Sequence, residues 1–106
     1  MAGVVVIVAY RPKAGKDAEL LELVRSRVPT LAKEGLVTER TPTIVRAKDG
    51  TIIEVSEWRS PEAIEAAHKN ENVGKLWNRF FELCDCVPLT MVAETAEMFA
   101  GFEPLE

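Results

Sequence analysis

The chain has 106 residues, a formal net charge of −4, 47% hydrophobic and 28% charged residues. That is one domain, 1–106, with a modest core and an ordinary foldable composition. The negative charge excludes a protein that works by gripping phosphate, and no apolar run approaches the ~20 residues of a membrane span, so neither nucleic acid nor membrane is an expected partner.

Val4 to Tyr10 is a β-branched run and predicts a strand. No basic region precedes it, so it is not a signal peptide. Both of its faces are apolar, Val4, Val6, Val8 and Tyr10 on one and Val5, Ile7 and Ala9 on the other. A sheet wet on one side alternates with polar residues, so both sides of this one are expected to be covered. After the turn "RPKAG", Leu20, Leu21, Val24, Val28 and Leu31 recur at helical spacing from about Lys16. The charged residues from Lys16 to Arg27 are assigned to a solvated face. Pro29 predicts a kink or restart, and Gly35 suits the end of the helix.

"TPTIVRAKDGTIIEVSEW" predicts a hairpin. Asp49-Gly50 is the pair preferred by a two-residue type I′ turn, which would set Val45 opposite Glu54 and Ile44 opposite Val55. Ser60-Pro61-Glu62 is a helix start with an N-cap serine, an N1 proline and an acid at the positive helix end. "NEN" breaks that helix. A second segment begins at Val73 and carries the stripe Val73, Leu76, Trp77, Phe80, Leu83 and Cys84 until Pro88 stops it. "MVAETAEM" is ambiguous, and Phe99 to Leu105 is expected to be the last strand.

Strand, helix, strand, strand, helix pair, strand is the order of a ferredoxin-like split βαβ sandwich of the α+β class, with a four-stranded antiparallel sheet and helices on one face. Helices can hide only that face. The apolar residues of the other face call for a second copy, sheet against sheet, in a two-fold homodimer.

"AYRPKAGKDAELL", the Asp-Gly hairpin, "EVSEWRSPEAIEAAH" and "VGKLWNRFFELC" together resemble the dimeric α/β-barrel superfamily over essentially the whole chain, and its antibiotic biosynthesis monooxygenase-like branch in particular. The local signature is Glu57, Trp58, Ser60 and His68. The resemblance implies a homodimeric, cofactor-independent protein with a small-molecule pocket between helices and sheet in each subunit. Its monooxygenase members oxidise polycyclic aromatics with O₂. Their pocket amide falls on Glu54 here, their tryptophan on Trp58 and their tyrosine on Ile64, so amide and phenol are both replaced. The haem-degrading branch is disfavoured, because its Asn and His slots fall on Ile7 and Trp77. The fold also hosts members without a known reaction.

The candidate catalytic residues are Glu54 and His68. Glu54 sits mid-strand among apolar neighbours, where a carboxylate is costly unless paired or protonated. It is either a pocket acid/base of raised pKa, an anion held by Arg46 or Arg11, or an ion-paired residue at a solvated edge. His68 is either a general base or a boundary histidine bonded to backbone at a helix end, and the latter is the commoner case. Tyr10, Trp58, Ile64, Trp77 and Phe80 are the expected pocket lining, although at helical spacing Trp77 is more often plain core, and Trp58 at its strand end fits core equally well. Cys84 and Cys86 with one histidine do not supply a metal site. A reactive thiol is not expected at a helix C-terminus beside Asp85, and reduced cysteines place the protein in the cytoplasm. The function expected is a cofactor-independent monooxygenase-like protein for an aromatic or quinone-type ligand. Its rival is a non-catalytic ligand-binding or stress-associated dimer module.

Overall fold

A computed structural model describes residues 3–105. In chain order the elements are β1 (Val4–Pro12), α1 (Asp17–Lys33), β2 (Thr43–Arg46), β3 (Ile52–Trp58), α2 (Pro61–Ala67), α3 (Glu71–Leu83), β4 (Cys84–Val87), two short 3₁₀ turns (Leu89–Met91 and Ala93–Ala96) and β5 (Glu103–Pro104). The strands form one antiparallel sheet in the order β4-β1-β3-β2-β5. The first four make the ferredoxin-like arrangement. The sheet has five strands, however, and not the four expected.

The fourth ferredoxin strand is Cys84–Val87, which pairs with β1, and not the segment from Phe99 to Leu105, of which only Glu103–Pro104 pairs, with β2 at the far edge. The helical stripe through Cys84 masked this strand. Cys84 already has extended backbone (φ −154°, ψ 171°), so α3 ends at Leu83. With β4 and β5 at opposite edges, the chain between them must cross the sheet. It does so opposite the helices, where Val92, Leu89 and Phe102 pack on Ala9, Val45, Ala47, Ile53 and Val87. The C-terminal segment therefore hides one end of the second face by itself. At the other end Val5 stays 52% and Ile7 47% exposed, beside half-buried Val55.

The hairpin register also differs by one residue from expectation. Ile44 faces Glu54 and Val45 faces Ile53. The loop has three residues, Lys48-Asp49-Gly50, closed by Ala47 N–H to the Thr51 carbonyl (2.8 Å) and Gly50 N–H to the Ala47 carbonyl (3.0 Å). In the loop only Gly50 takes a positive φ (94°); Asp49 does not, and its Oδ1 accepts from Thr51 N–H (2.9 Å). A type I′ turn would force Asp49 into the left-handed region at about 1–2 kcal/mol, whereas a type I turn followed by a glycine bulge uses glycine alone. As a result Ile44, not Val45, joins Ile52, Glu54, Ser56 and Trp58 under the helices.

The helices form as their ends direct. Ser60 Oγ accepts from Ala63 N–H (3.1 Å) at the start of α2, and Asn70 Oδ1 accepts from Val73 N–H (3.1 Å) at the start of α3. α1 runs through Pro29 without a break. Gly35 (φ 71°) closes it, with Leu36 N–H reaching back to the Leu31 carbonyl (3.2 Å). Leu20, Val24 and Leu31 of α1, Ala63 and Ala67 of α2, and Val73, Leu76, Phe80 and Leu83 of α3 fill the core against Tyr10, Ile44, Ile52 and Trp58. Among the described residues no helix is long and apolar enough to cross a membrane.

Candidate active site

Strand alternation puts Glu54, Ser56 and Trp58 on the helix-side face of β3, and Tyr10 lies diagonally across on β1. Glu54 thus faces the helices, not the open sheet face. It is 0% exposed. Its partner is neither Arg46, which bonds Glu103 (3.3 Å), nor Arg11, which lies near Asp49 (3.6 Å). The partner is Arg27 of α1, with Nη1 donating to Glu54 Oε1 at 3.1 Å and to Ser56 Oγ at 3.1 Å. Tyr10 Oη donates to the same Oε1 at 2.9 Å. The guanidinium carbon sits 5.6 Å from the centre of the Trp58 ring, a cation–π contact from a desolvated cation.

Arg27 corrects the expectation of a solvated charged face along α1, since it is only 5% exposed. The signal was in the spacing: Leu20, Val24, Arg27 and Leu31 are steps of four, three and four, so the arginine interrupts the apolar stripe itself. Burial raises the pKa of Glu54, and the charge of Arg27 with the two hydrogen bonds to Oε1 opposes the rise. Burial likewise pushes the Tyr10 phenol well above its ordinary value, with Arg27 opposing. Glu54 Oε2 has no hydrogen-bond partner among the described residues.

Above this cluster lies a cavity of about 310 Å³ lined by Val8, Tyr10, Arg27, His68, Trp77, Phe80, Phe81 and Cys86. Tyr10 and Phe80 stack at 4.9 Å, with 20° between their planes. His68 meets Trp77 edge-on at 5.0 Å. The His68 Nδ1 lies 2.9 Å from the Ile64 carbonyl at the end of α2. A carbonyl only accepts, so Nδ1 carries the proton, and in the neutral ring Nε2 is the nitrogen left with a lone pair. His68 is therefore both a backbone-bonded boundary residue and part of the cavity wall. Trp58 and Ile64 are not on that wall: Trp58 is core beneath Arg27, and Ile64 packs against the core from α2. Glu54 reaches the cavity only through Tyr10 and Arg27. The groove around Arg25, Pro29, Arg40 and Pro42 is larger, about 480 Å³, but no aromatic side chain and no buried charge lines it. Among the described residues no three His, Cys, Asp or Glu side chains gather as a metal site.

The molecule is thus a ferredoxin-like α+β sandwich with an aromatic cavity above a buried ion pair. The antibiotic biosynthesis monooxygenase family matches residues 3–77, from β1 into α3, and the chain belongs to that family. No curated protein and no solved structure matches the chain.

The buried carboxylate makes stability depend on pH in a definite direction. Its folded pKa is raised above 4.5, so folding favours the protonated form. The stability it contributes is present below pH 4.5 and is lost as pH rises through the folded pKa. Denaturant titrations of the wild type from pH 4.5 upward should show this decline, and Glu54→Gln should flatten it. An unchanged slope in the variant would mean that Glu54 titrates as an ordinary surface acid.

Proposed function

We propose that the protein binds a flat phenol or enolisable polycyclic ligand in the aromatic cavity and oxidises it with O₂ without a bound cofactor. In this reading the substrate supplies the electrons. A ring CH₂ loses two hydrogens, one oxygen atom stays as the new carbonyl, and the other leaves as water. Deprotonation is the step that makes such a substrate reactive toward O₂. Two groups can take the proton: His68 through Nε2, or the Tyr10 hydroxyl, which accepts it while passing its own to Glu54 Oε1. Arg27, at the cavity wall, offsets the negative charge left on the substrate. Trp77 and Phe80 shape the slot around the ring. The observation that carries this reading is the hydrogen-bonded run from the cavity wall to a buried carboxylate, Tyr10 Oη to Glu54 Oε1 at 2.9 Å.

The rival is a binding module with no reaction. Complete burial of Glu54 favours it, because no ligand can touch the carboxylate directly. Anthrone is a suitable probe for both. The oxygenase reading expects O₂ uptake with wild type and a fall of about 10²–10⁴-fold in His68→Ala, in Glu54→Gln or in both. Anthrone binding with no O₂ uptake above the buffer rate supports the module instead. Turnover that survives intact in both variants removes the two residues from the mechanism.

The open end of the sheet supports a homodimer through sheet faces. Val5 and Ile7 are large, apolar and half exposed, and the crossing segment leaves them uncovered. The free thiols of Cys84 and Cys86 fit a cytoplasmic setting. Sedimentation at micromolar concentration should give twice 11.8 kDa for wild type and a monomer for Ile7→Lys. A wild-type monomer would rule out the dimer.

A further inference from the structure

Cys86 sits opposite Tyr10 on the β4 ladder and lines the cavity with Arg27, Trp77 and Phe80. It is exposed, whereas Cys84 two residues earlier is buried. Arg27 uses Nη1 for Glu54 and Ser56, and its other N–H groups have no acceptor among the described residues. One aromatic slot therefore holds a sulfur nucleophile and a nearly buried cation with unengaged donors. A conjugate acceptor calls for that pairing: sulfur attacks carbon, and the donors receive the charge that moves onto the carbonyl oxygen.

We propose that this cavity captures quinones covalently at Cys86, with Arg27 holding the carbonyl oxygen that becomes anionic. The S–C bond forms at a ring carbon, and the electron pair of the ring C=C moves through to that oxygen. The thiol proton ends on the oxygen. The hydrogen on the attacked carbon then shifts to the second oxygen and the ring becomes aromatic, leaving a hydroquinone thioether. The addition is redox-neutral overall, so no outside oxidant or reductant enters. A quinone is also the class of product that oxidation of a polycyclic phenol delivers, so the thiol stands where such a product is released. The proposal rests on the reading that the cavity takes flat aromatics, and not on any oxygen chemistry.

The thiol is suited to the step. Contact with the Cys84 thiol and the charge of Arg27 lower Cys86 to about 7, against burial and the charge of Asp85. The Cys84 S–H donates to the Phe80 carbonyl (3.3 Å), and its own pKa is raised, chiefly by the contact with Cys86. The outer thiol is therefore the reactive one of the two. The lowered pKa raises the share of thiolate at pH 7. The lower basicity makes each thiolate less nucleophilic, which offsets part of that gain. Any larger advantage must come from the cavity.

The test compares two electrophiles on the whole protein at pH 7, with glutathione as the reference thiol and intact-mass readout. Iodoacetamide, small and non-aromatic, should alkylate Cys86 only modestly faster than glutathione. 1,4-Naphthoquinone should exceed its glutathione rate by about fifty-fold or more, because the slot orients the ring. The adduct should be single, absent in Cys86→Ser, retained in Cys84→Ala and slowed by saturating 1-naphthol. An adduct that persists in Cys86→Ser overturns the proposal. So does a naphthoquinone advantage no larger than that of iodoacetamide. If 1-naphthol still raises the melting temperature in that case, covalent capture fails while the aromatic-binding reading stands. If it does not, both fail.

Discussion

The ion pair between Arg27 and Glu54 is the constraint around which the helix side of the molecule is organised. Both groups are taken out of water, and the idealised penalty for such a transfer is several kcal/mol per ion even after relaxation. Attraction at 3.1 Å in a poorly polarisable interior offsets much of this. The hydrogen bonds from Tyr10 and Arg27 to Oε1, and from Arg27 to Ser56, offset more, while Oε2 contributes nothing. Removing either partner alone leaves a buried charge, at about 3–5 kcal/mol, so the pair fixes how α1 lies over β3. The same pair reaches the cavity through Tyr10 and Arg27. The buried cluster and the cavity wall therefore share Arg27 and Tyr10.

The second organising fact is the shape of the chain path. Three helices cover one face of the sheet and cannot cover the other. The crossing from β4 to β5 covers part of that other face with Val92, Leu89 and Phe102. What it leaves, around Val5, Ile7 and Val55, is a patch of β-branched side chains of the kind that associates. Cavity and patch lie on opposite sides of the sheet. Closing the patch against a second copy would leave the cavity under α2 and α3 accessible.

Much of this was legible in the residues, and the failures share a cause. The two apolar faces of Val4 to Tyr10, the cap at Ser60-Pro61 and the stop at Gly35 each rest on a local rule, and each appears as read. Glu54 stood out because a carboxylate among β-branched neighbours requires a partner. The partner did not stand out, because an arginine on a helix rich in Lys, Arg and Glu looks solvated unless its exact phase on the stripe is followed. Asp49-Gly50 favours a tight turn by dipeptide preference, yet one glycine satisfies a three-residue loop and shifts Ile44 onto the core face. Cys84–Val87 continues a helical period into a strand, and pairing with β1 decides the matter, which no local pattern reveals. The cavity belongs to the same class: His68, Trp77, Tyr10 and Cys86 come from four elements, and only tertiary packing brings them together.

On the function proposed above, the buried pair serves the cavity and not the stability of the fold. The most direct measurement is on the double variant Arg27→Met/Glu54→Leu, in which both charges are replaced by apolar groups of similar size. Denaturant unfolding should show a fold as stable as the wild type, or more stable by about 1–4 kcal/mol. Calorimetric titration with 1-naphthol should show binding weakened at least about tenfold, equivalent to about 1.4 kcal/mol. A double variant that is stable and binds 1-naphthol as well as the wild type would contradict the account, since the pair would then be a structural relic with no part in recognition.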